Sequence, residues 1–342
     1  MSERIVECVP NFSEGRNQEI IDTIARAGSN INGARVLGIE PDKDYNRTVL
    51  TIAGEPEAVA EAAFEVIKSS YENIDMASHV GEHPRIGAVD VCPFVPLKGL
   101  TMEECAELAR DLAIRVSNEL ELPTFLYGAA ATSPDRELLS DLRKGQYEGF
   151  KTRLENGGPH LPDHGPKVWN EKVAKFGAVV IGARKILVAY NVNVAEKDAK
   201  SARIAGSLVR SSGRLLKQDD GRKCRIPGML PMVQGMGLPL ESHGISQVSM
   251  NLRDVSITPM HIAFEAVKSI VADHGIETCG SELVGLVPLS AILESGRWYA
   301  GADCNDESDL VKSAVEGLGL DYLSPFDPHE RIIEWALKKD VE

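Results

Sequence analysis

The chain is 342 residues long, 43% hydrophobic and 26% charged, the balance of a globular protein with length enough for two domains. Its 51 acidic and 37 basic side chains leave a net charge of −14, which argues against a nucleic-acid or anionic-membrane surface but not against a local basic pocket for a small anion. No run approaches the roughly 18 apolar residues of a membrane helix, the opening Met1-Ser2-Glu3-Arg4 lacks signal-peptide architecture, and the six cysteines are scattered without C-x-x-C spacing, so a thiol-reducing, cytoplasmic setting is expected.

Residues 5–10 read as a strand and 17–27 as a helix, with Ile20, Ile21, Ile24 and Ala25 at helical spacing. Strands are expected at 35–40 and 47–53, joined by the turn Pro41-Asp42-Lys43-Asp44. A helix opens at Pro56 and carries Val59, Ala63, Val66 and Ile67 on one face. A short strand at 88–93 precedes Thr101-Met102-Glu103-Glu104, a capping box that opens a helix toward residue 120. Residues 123–127 read as a strand and 134–145 as helical. The stretch 156–166 is dense in glycine, proline and histidine and reads as a long surface loop, a common place for function.

An apolar run at 177–193 is interrupted by Arg184-Lys185, and a helix follows at 196–209. Residues 211–244 are rich in glycine, proline and basic side chains. A strand at 247–252 leads to a helix with Thr258 as N-cap and Pro259 in its first turn. A strand-rich run at 282–288, a short helix and a tail complete the chain. The order strand–helix–strand–strand–helix–strand is the split β-α-β plan, so an α+β fold is expected, with a domain boundary near residue 177.

The densest chemistry lies at 79–90, where His79, Glu82, His83, Arg85 and Asp90 crowd together. His79-Val80-Gly81-Glu82-His83 fits the H-x-x-E-H zinc pattern, which needs both histidines on one helical face. Gly81 weakens such a helix and Pro84 pushes His83 out of the helical region. The better reading is a loop that presents His83 as a general base, with Glu82 or Asp90 fixing its tautomer and Arg85 holding a substrate carboxylate.

Several stretches, spread in order over nearly the whole chain, resemble the formiminotransferase family. They include Val6-Glu7-Cys8-Val9-Pro10-Asn11-Phe12-Ser13-Glu14-Gly15, Asn46-Arg47-Thr48-Val49, Gly81-Glu82-His83-Pro84-Arg85-Ile86-Gly87-Ala88-Val89-Asp90, Gln247-Val248-Ser249-Met250-Asn251-Leu252 and Leu283-Val284-Gly285-Leu286-Val287-Pro288-Leu289. The resemblance implies transfer of a formimidoyl group from N-formimidoyl-L-glutamate to N5 of tetrahydrofolate in histidine degradation, with His83 as the catalytic residue. Tetrahydrofolate would be a co-substrate, and no metal is implied.

The family's folate-binding stretch maps onto Gly165, Pro166 and Lys167 through Phe176 and Gly177, where this chain departs in loop length and lysine content. Glu40 stands where mammalian relatives carry aspartate, and an orienting role is expected for it. Arg47 and Arg85, with Arg184 and Lys185, are the candidates for a local positive track. The implied fold is two ferredoxin-like α/β sandwich subdomains with facing mixed sheets, at 1–177 and 178–342 with a helical tail, in a homodimer. Nothing after about Lys338 is expected to house a cyclodeaminase. Rival readings are a formyl transferase using N-formylglutamate, a folate-binding protein without turnover, and a zinc hydrolase.

Overall fold

The structure is a computed structural model that describes residues 4–338 except Asp44, Pro159, Asp219 and Ala302. The expected turn residue Asp44, the loop residue Pro159 and the tail beyond Lys338 therefore lie outside the described residues. The chain divides into two units, Met1–Lys185 and Ile186–Glu342.

In the first unit, β1 (Ile5–Cys8) and β2 (Asn11–Phe12) act as one interrupted strand. They are followed by α1 (Gln18–Ser29), β3 (Ala34–Asp42), β4 (Arg47–Gly54), α2 (Pro56–Asn73), β5 (Val89–Lys98) and α3 (Met102–Arg115). The side chain of Asn17 caps α1 by accepting from the Glu19 and Ile20 amides. Thr101 and Glu104 close the capping box expected for α3. Next come β6 (Thr124–Gly128), α4 (Leu139–Leu142), α5 (Gln146–Asn156), α6 (Glu171–Phe176) and β7 (Val179–Ala183).

The strand order is β3, β4, then β1 with β2, then β5, β7 and β6. Pairings are antiparallel up to β5, and β7 runs parallel to both β5 and β6. Leu50 and Ile52 on β4 face the core with Phe94, Ile24 and Val66. Around β5, β6 and β7 a second cluster of Phe125, Phe150, Val173 and Val180 fills the opposite face, as a parallel sheet segment requires. The boundary expected at 177/178 would cut β7 from this sheet; its pairing with β5 and β6 puts it in the first unit.

The helix expected over 134–145 is broken. Pro134–Arg136 forms a 3-10 turn and only Leu139–Leu142 is α-helical. The Arg136 side chain leaves the surface to pair with Asp163 at 2.7 Å, both side chains 9% exposed. Asp163 also accepts from the Leu126 amide (2.9 Å) and Thr132 (2.8 Å), which clasps the loop after α5 to the end of β6.

The second unit comprises β8 (Val188–Val194), α7 (Lys200–Val209), β9 (Arg214–Lys217), β10 (Lys223–Ile226), β11 (Val233–Leu240), β12 (Ile245–Leu252), α8 (Met260–Ala272), β13 (Thr278–Val284), α9 (Leu289–Ala300) and α10 (Glu307–Leu318). Its main sheet runs β11, β12, β8, β13. All three pairings are antiparallel, so the expectation of a mixed sheet fails here: each helical crossover skips one strand and returns beside an antiparallel neighbour. The α8 cap also differs. Pro259 occupies the N-cap position, and Thr258 instead donates its hydroxyl to the Pro231 carbonyl at 2.7 Å.

In each unit the β-α-β-β-α-β elements take the spatial order second, third, first, fourth. We infer from this shared order that both are ferredoxin-like sandwiches.

Candidate active site

The first unit's site grows from the β3–β4 turn. Residues directly opposite on an antiparallel pair share a face, and Asp42 pairs with Arg47 while Glu40 and Asn11 both pair with Val49. Leu50 and Ile52 alternate with these residues and point into the core. Asn11, Glu40, Asp42 and Arg47 are thus presented on the face turned away from that core.

The loop after α2 is tied down onto this turn. The His83 amide donates to the Tyr45 carbonyl at 3.4 Å. Asn46, held at a positive φ of 50°, donates its side-chain amide to the Val80 carbonyl (2.9 Å) and accepts from the Gly15 amide (3.0 Å). Gly81 is required by proximity, since a Cβ there would stand 2.5 Å from the Tyr45 carbonyl oxygen. No helix forms between His79 and Gly87, so the geometry that H-x-x-E-H zinc binding needs is absent from this segment.

His83 is half-buried, and its ring makes no hydrogen bond among the described residues. Tyr45 meets it edge-on, with centroids 6.3 Å apart. Burial and then the charges of Arg47, Arg143 and Arg85 push its pKa down to about 3, against a small upward pull from Asp42. The imidazole is therefore neutral at ordinary pH, with both nitrogens open. Neither expected tautomer partner holds it. Glu82 is exposed, and the buried Asp90 carboxylate instead takes Arg143 through Nε at 3.1 Å and a second contact from Nη2, together with the Ile86 amide.

His79 proves to be a strut. Its Nε2 meets the Asn46 carbonyl at 3.0 Å, which fixes the tautomer, and its Nδ1 accepts from Arg85 Nε at 3.3 Å. Arg85 in turn is 5% exposed and grips Glu148 with two nitrogens, at 3.0 and 2.7 Å. Its fork is committed to α5, so it positions the loop and is not placed as a free carboxylate anchor. Arg47 is different. One nitrogen donates to Asn11 Oδ1 at 3.0 Å, while its buried Nε has no partner among the described residues. Burial lowers its pKa.

The other expected site residues divide. Glu40 lies on the right face, two residues before Asp42, and Asp42 is the carboxylate that acts on His83. Phe176 is fully buried in the core, and Gly177, at φ 81°, packs so closely that a Cβ would lie 2.3 Å from the Ile86 carbonyl. Both form the floor under the motif, with the Ala88 amide donating to the Phe176 carbonyl at 2.7 Å. Gly165 abuts the Leu122 carbonyl in the same way, and Pro166 and Lys167 follow on the surface loop. Arg143, Tyr45 and Asn11 were not singled out as site residues from sequence.

The loop clasp yields a stability prediction. Arg136→Ala strands the buried Asp163 carboxylate and is expected to cost about 3–5 kcal/mol, read as a lower denaturation midpoint in urea. A midpoint unchanged from the parent protein would show that the pair holds nothing.

An uncharged histidine with open nitrogens, set among arginines and carboxylates at the edge of an α+β sheet, is the constellation of an acid–base enzyme. Residues 5–184 match the N-terminal subdomain of the formiminotransferase domain, and 189–338 match the formiminotransferase domain proper. The glutamate formimidoyltransferase of Streptococcus pyogenes is 38% identical over 296 residues, covering 86% of this chain and 93% of that protein. That of Thermoplasma acidophilum is 38% identical over 314 residues, covering 91% and 97%. The mouse formimidoyltransferase-cyclodeaminase is 42% identical across 98% of this chain, which spans 60% of that relative's length. The chain belongs to the formiminotransferase family.

Proposed function

We propose that this chain is a transferase that moves the formimidoyl group of N-formimidoyl-L-glutamate to N5 of tetrahydrofolate and releases glutamate. The observation that carries the reading is His83: a neutral imidazole whose ring nitrogens have no hydrogen-bond partner among the described residues, in a family whose bacterial and archaeal members are named for this transfer. N5 attacks the amidine carbon, the adduct gives its N5 proton to His83, and the imidazolium returns a proton to the departing glutamate nitrogen. Protons balance over the cycle, and folate is a co-substrate.

The low pKa has a purpose in this scheme. With Arg47 and Arg143 nearby, His83 is a weak base in the free enzyme. An anionic substrate set among those guanidinium groups offsets their charge and draws the histidine toward the working pH. Tyr45 and Asn11 would hold the ring and Arg47 in place.

The test is to mix protein, tetrahydrofolate and either N-formimidoyl-L-glutamate or N-formylglutamate, and follow glutamate release. Turnover with the formimidoyl donor supports the proposal; turnover with the formyl donor alone, or tight folate binding without release, replaces it with one of the rival readings. The protein's net charge is −14, so attraction of an anionic folate must be local. Because the Debye length contracts from about 10 Å at 0.1 M salt to about 3 Å at 1 M, the KM for folate is expected to rise with salt, and a flat KM would remove the arginines from binding. A homodimer in the cytoplasm belongs to the same reading and rests on the family resemblance; light scattering reads the first part and cell fractionation the second.

A further inference from the structure

Arg85 has no hydrogen-bond capacity left for a substrate. A guanidinium carries five N–H donors, and here all five are used. Nε donates to His79 Nδ1 at 3.3 Å. Nη1 donates to Gln146 Oε1 (3.4 Å) and Glu148 Oε2 (3.0 Å), and Nη2 to Glu148 Oε1 (2.7 Å) and the His79 carbonyl (3.4 Å). Through His79 this side chain closes residues 79–85 into a ring that contains His83. Through Glu148 it ties that ring to α5.

Of these partners only Glu148 brings a countercharge. Arg85 is 5% exposed, so its charge depends on a close carboxylate, and Arg85 in return holds the Glu148 carboxyl below its ordinary pKa. The backbone repeats the link, with the Tyr147 amide donating to the Arg85 carbonyl at 2.9 Å.

The chain reaches this place through an unusual step. Gly145 and Gln146 both have positive φ, 82° and 53°, and glutamine adopts that conformation only at a cost. The step turns the chain between Arg143, which binds Asp90, and the first turn of α5, which binds Arg85. Asp90 in turn accepts from the Ile86 amide. One short elbow, residues 143–148, thus fixes the motif at both Arg85 and Ile86, just beyond His83.

We propose that Glu148 is a positioning residue of the transferase, acting through Arg85 and the closed ring to fix where the His83 imidazole stands. The proposal rests on the transferase reading and adds what holds its base still. A displacement of about 1 Å in such a group is enough to cost about 100-fold in rate.

The experiment combines glutamate release with amide hydrogen exchange over residues 79–87, on the full chain. Glu148→Gln is expected to lower kcat about 10- to 100-fold, to leave both KM values little changed and to speed exchange in the loop. In the His83→Ala background the same substitution is expected to change nothing, because a positioning residue has no effect once the group it positions is gone. Glu155→Gln is the control, on the same helix but paired with Lys151 at 4.0 Å, and should match the parent protein in rate and exchange. Glu148→Asp keeps the charge with a shorter reach, so it should lose less than Glu148→Gln, and it is read instead if Glu148→Gln does not fold. Full turnover in the folded variant, loop exchange no faster than in Glu155→Gln, or an equal rate loss with and without His83 overturns the proposal. If the unmodified protein releases no glutamate, the transferase reading fails by itself, and exchange, which needs no turnover, still decides whether Glu148 holds the loop.

Discussion

Replacing His83 by alanine is expected to lower kcat by about 10²- to 10⁴-fold, the usual worth of a positioned general acid–base group, while reduced-folate binding is retained. The expectation follows from what surrounds the ring. His83 is fastened through its backbone to Tyr45, its ring touches Tyr45 edge-on but makes no hydrogen bond among the described residues, and it is neutral because burial and the arginines make it so. Truncation thus removes a proton carrier without orphaning a partner, and the melting temperature should barely move. Glutamate release is the measurement, with calorimetric folate binding as the control. The void left in a half-buried position also admits free imidazole, so added imidazole should restore part of the rate. Turnover within tenfold of the parent protein would place the base elsewhere. By contrast, His79→Ala cuts the strut between Asn46 and Arg85, and its effect should appear in stability as well as rate.

The difference between these two histidines shows where sequence reasoning stops. Pro84 and Gly81 were enough to rule out a helix at the motif, and the resemblance pointed to His83. The β3–β4 hairpin and the Thr101 capping box depend on neighbours within a few residues, so they were legible, whereas the Asn17 cap was found only in the structure. Arg85 was misjudged because its partner, Glu148, lies on a helix that the pattern did not resolve, 63 residues away. Arg143 was invisible for the same reason: nothing local marks it, and its role comes from Asp90 at a separation of 53. Phe176 and Gly177 matched a binding stretch in order, yet their burial and close backbone approach give them to the floor of the site. The β9–β10 hairpin escaped notice because all of its strand residues but Arg214 are exposed, so no alternation betrays it.

Arg47→Gln separates the electrostatic part of the site from its framework. Arg143 is a poor choice for this purpose, because its removal leaves the buried Asp90 carboxylate unpaired. Arg47 touches a neutral partner, Asn11, and glutamine can keep that contact. Arg47 is the largest charge acting to depress the His83 pKa, so its loss raises that pKa from about 3 toward the ordinary value near 6.5. The pH profile of kcat/KM, which reports the free enzyme, should show no histidine limb between pH 6 and 7 in the parent protein and a limb at higher pH in the variant. Stability follows the same sign. A histidine whose folded pKa lies below its unfolded one favours the fold fully above about pH 6.5 and loses that contribution as pH falls toward about 3. The variant should therefore show a shallower stability loss across that window. The second expectation is an increase of about 10-fold or more in the KM for N-formimidoyl-L-glutamate, the scale for losing one charge-assisted hydrogen bond. A parent profile already breaking near pH 6.5 would mean that the arginines do not govern His83. An unchanged KM with a shifted limb would leave Arg47 as a tuner of the base and remove it from substrate binding.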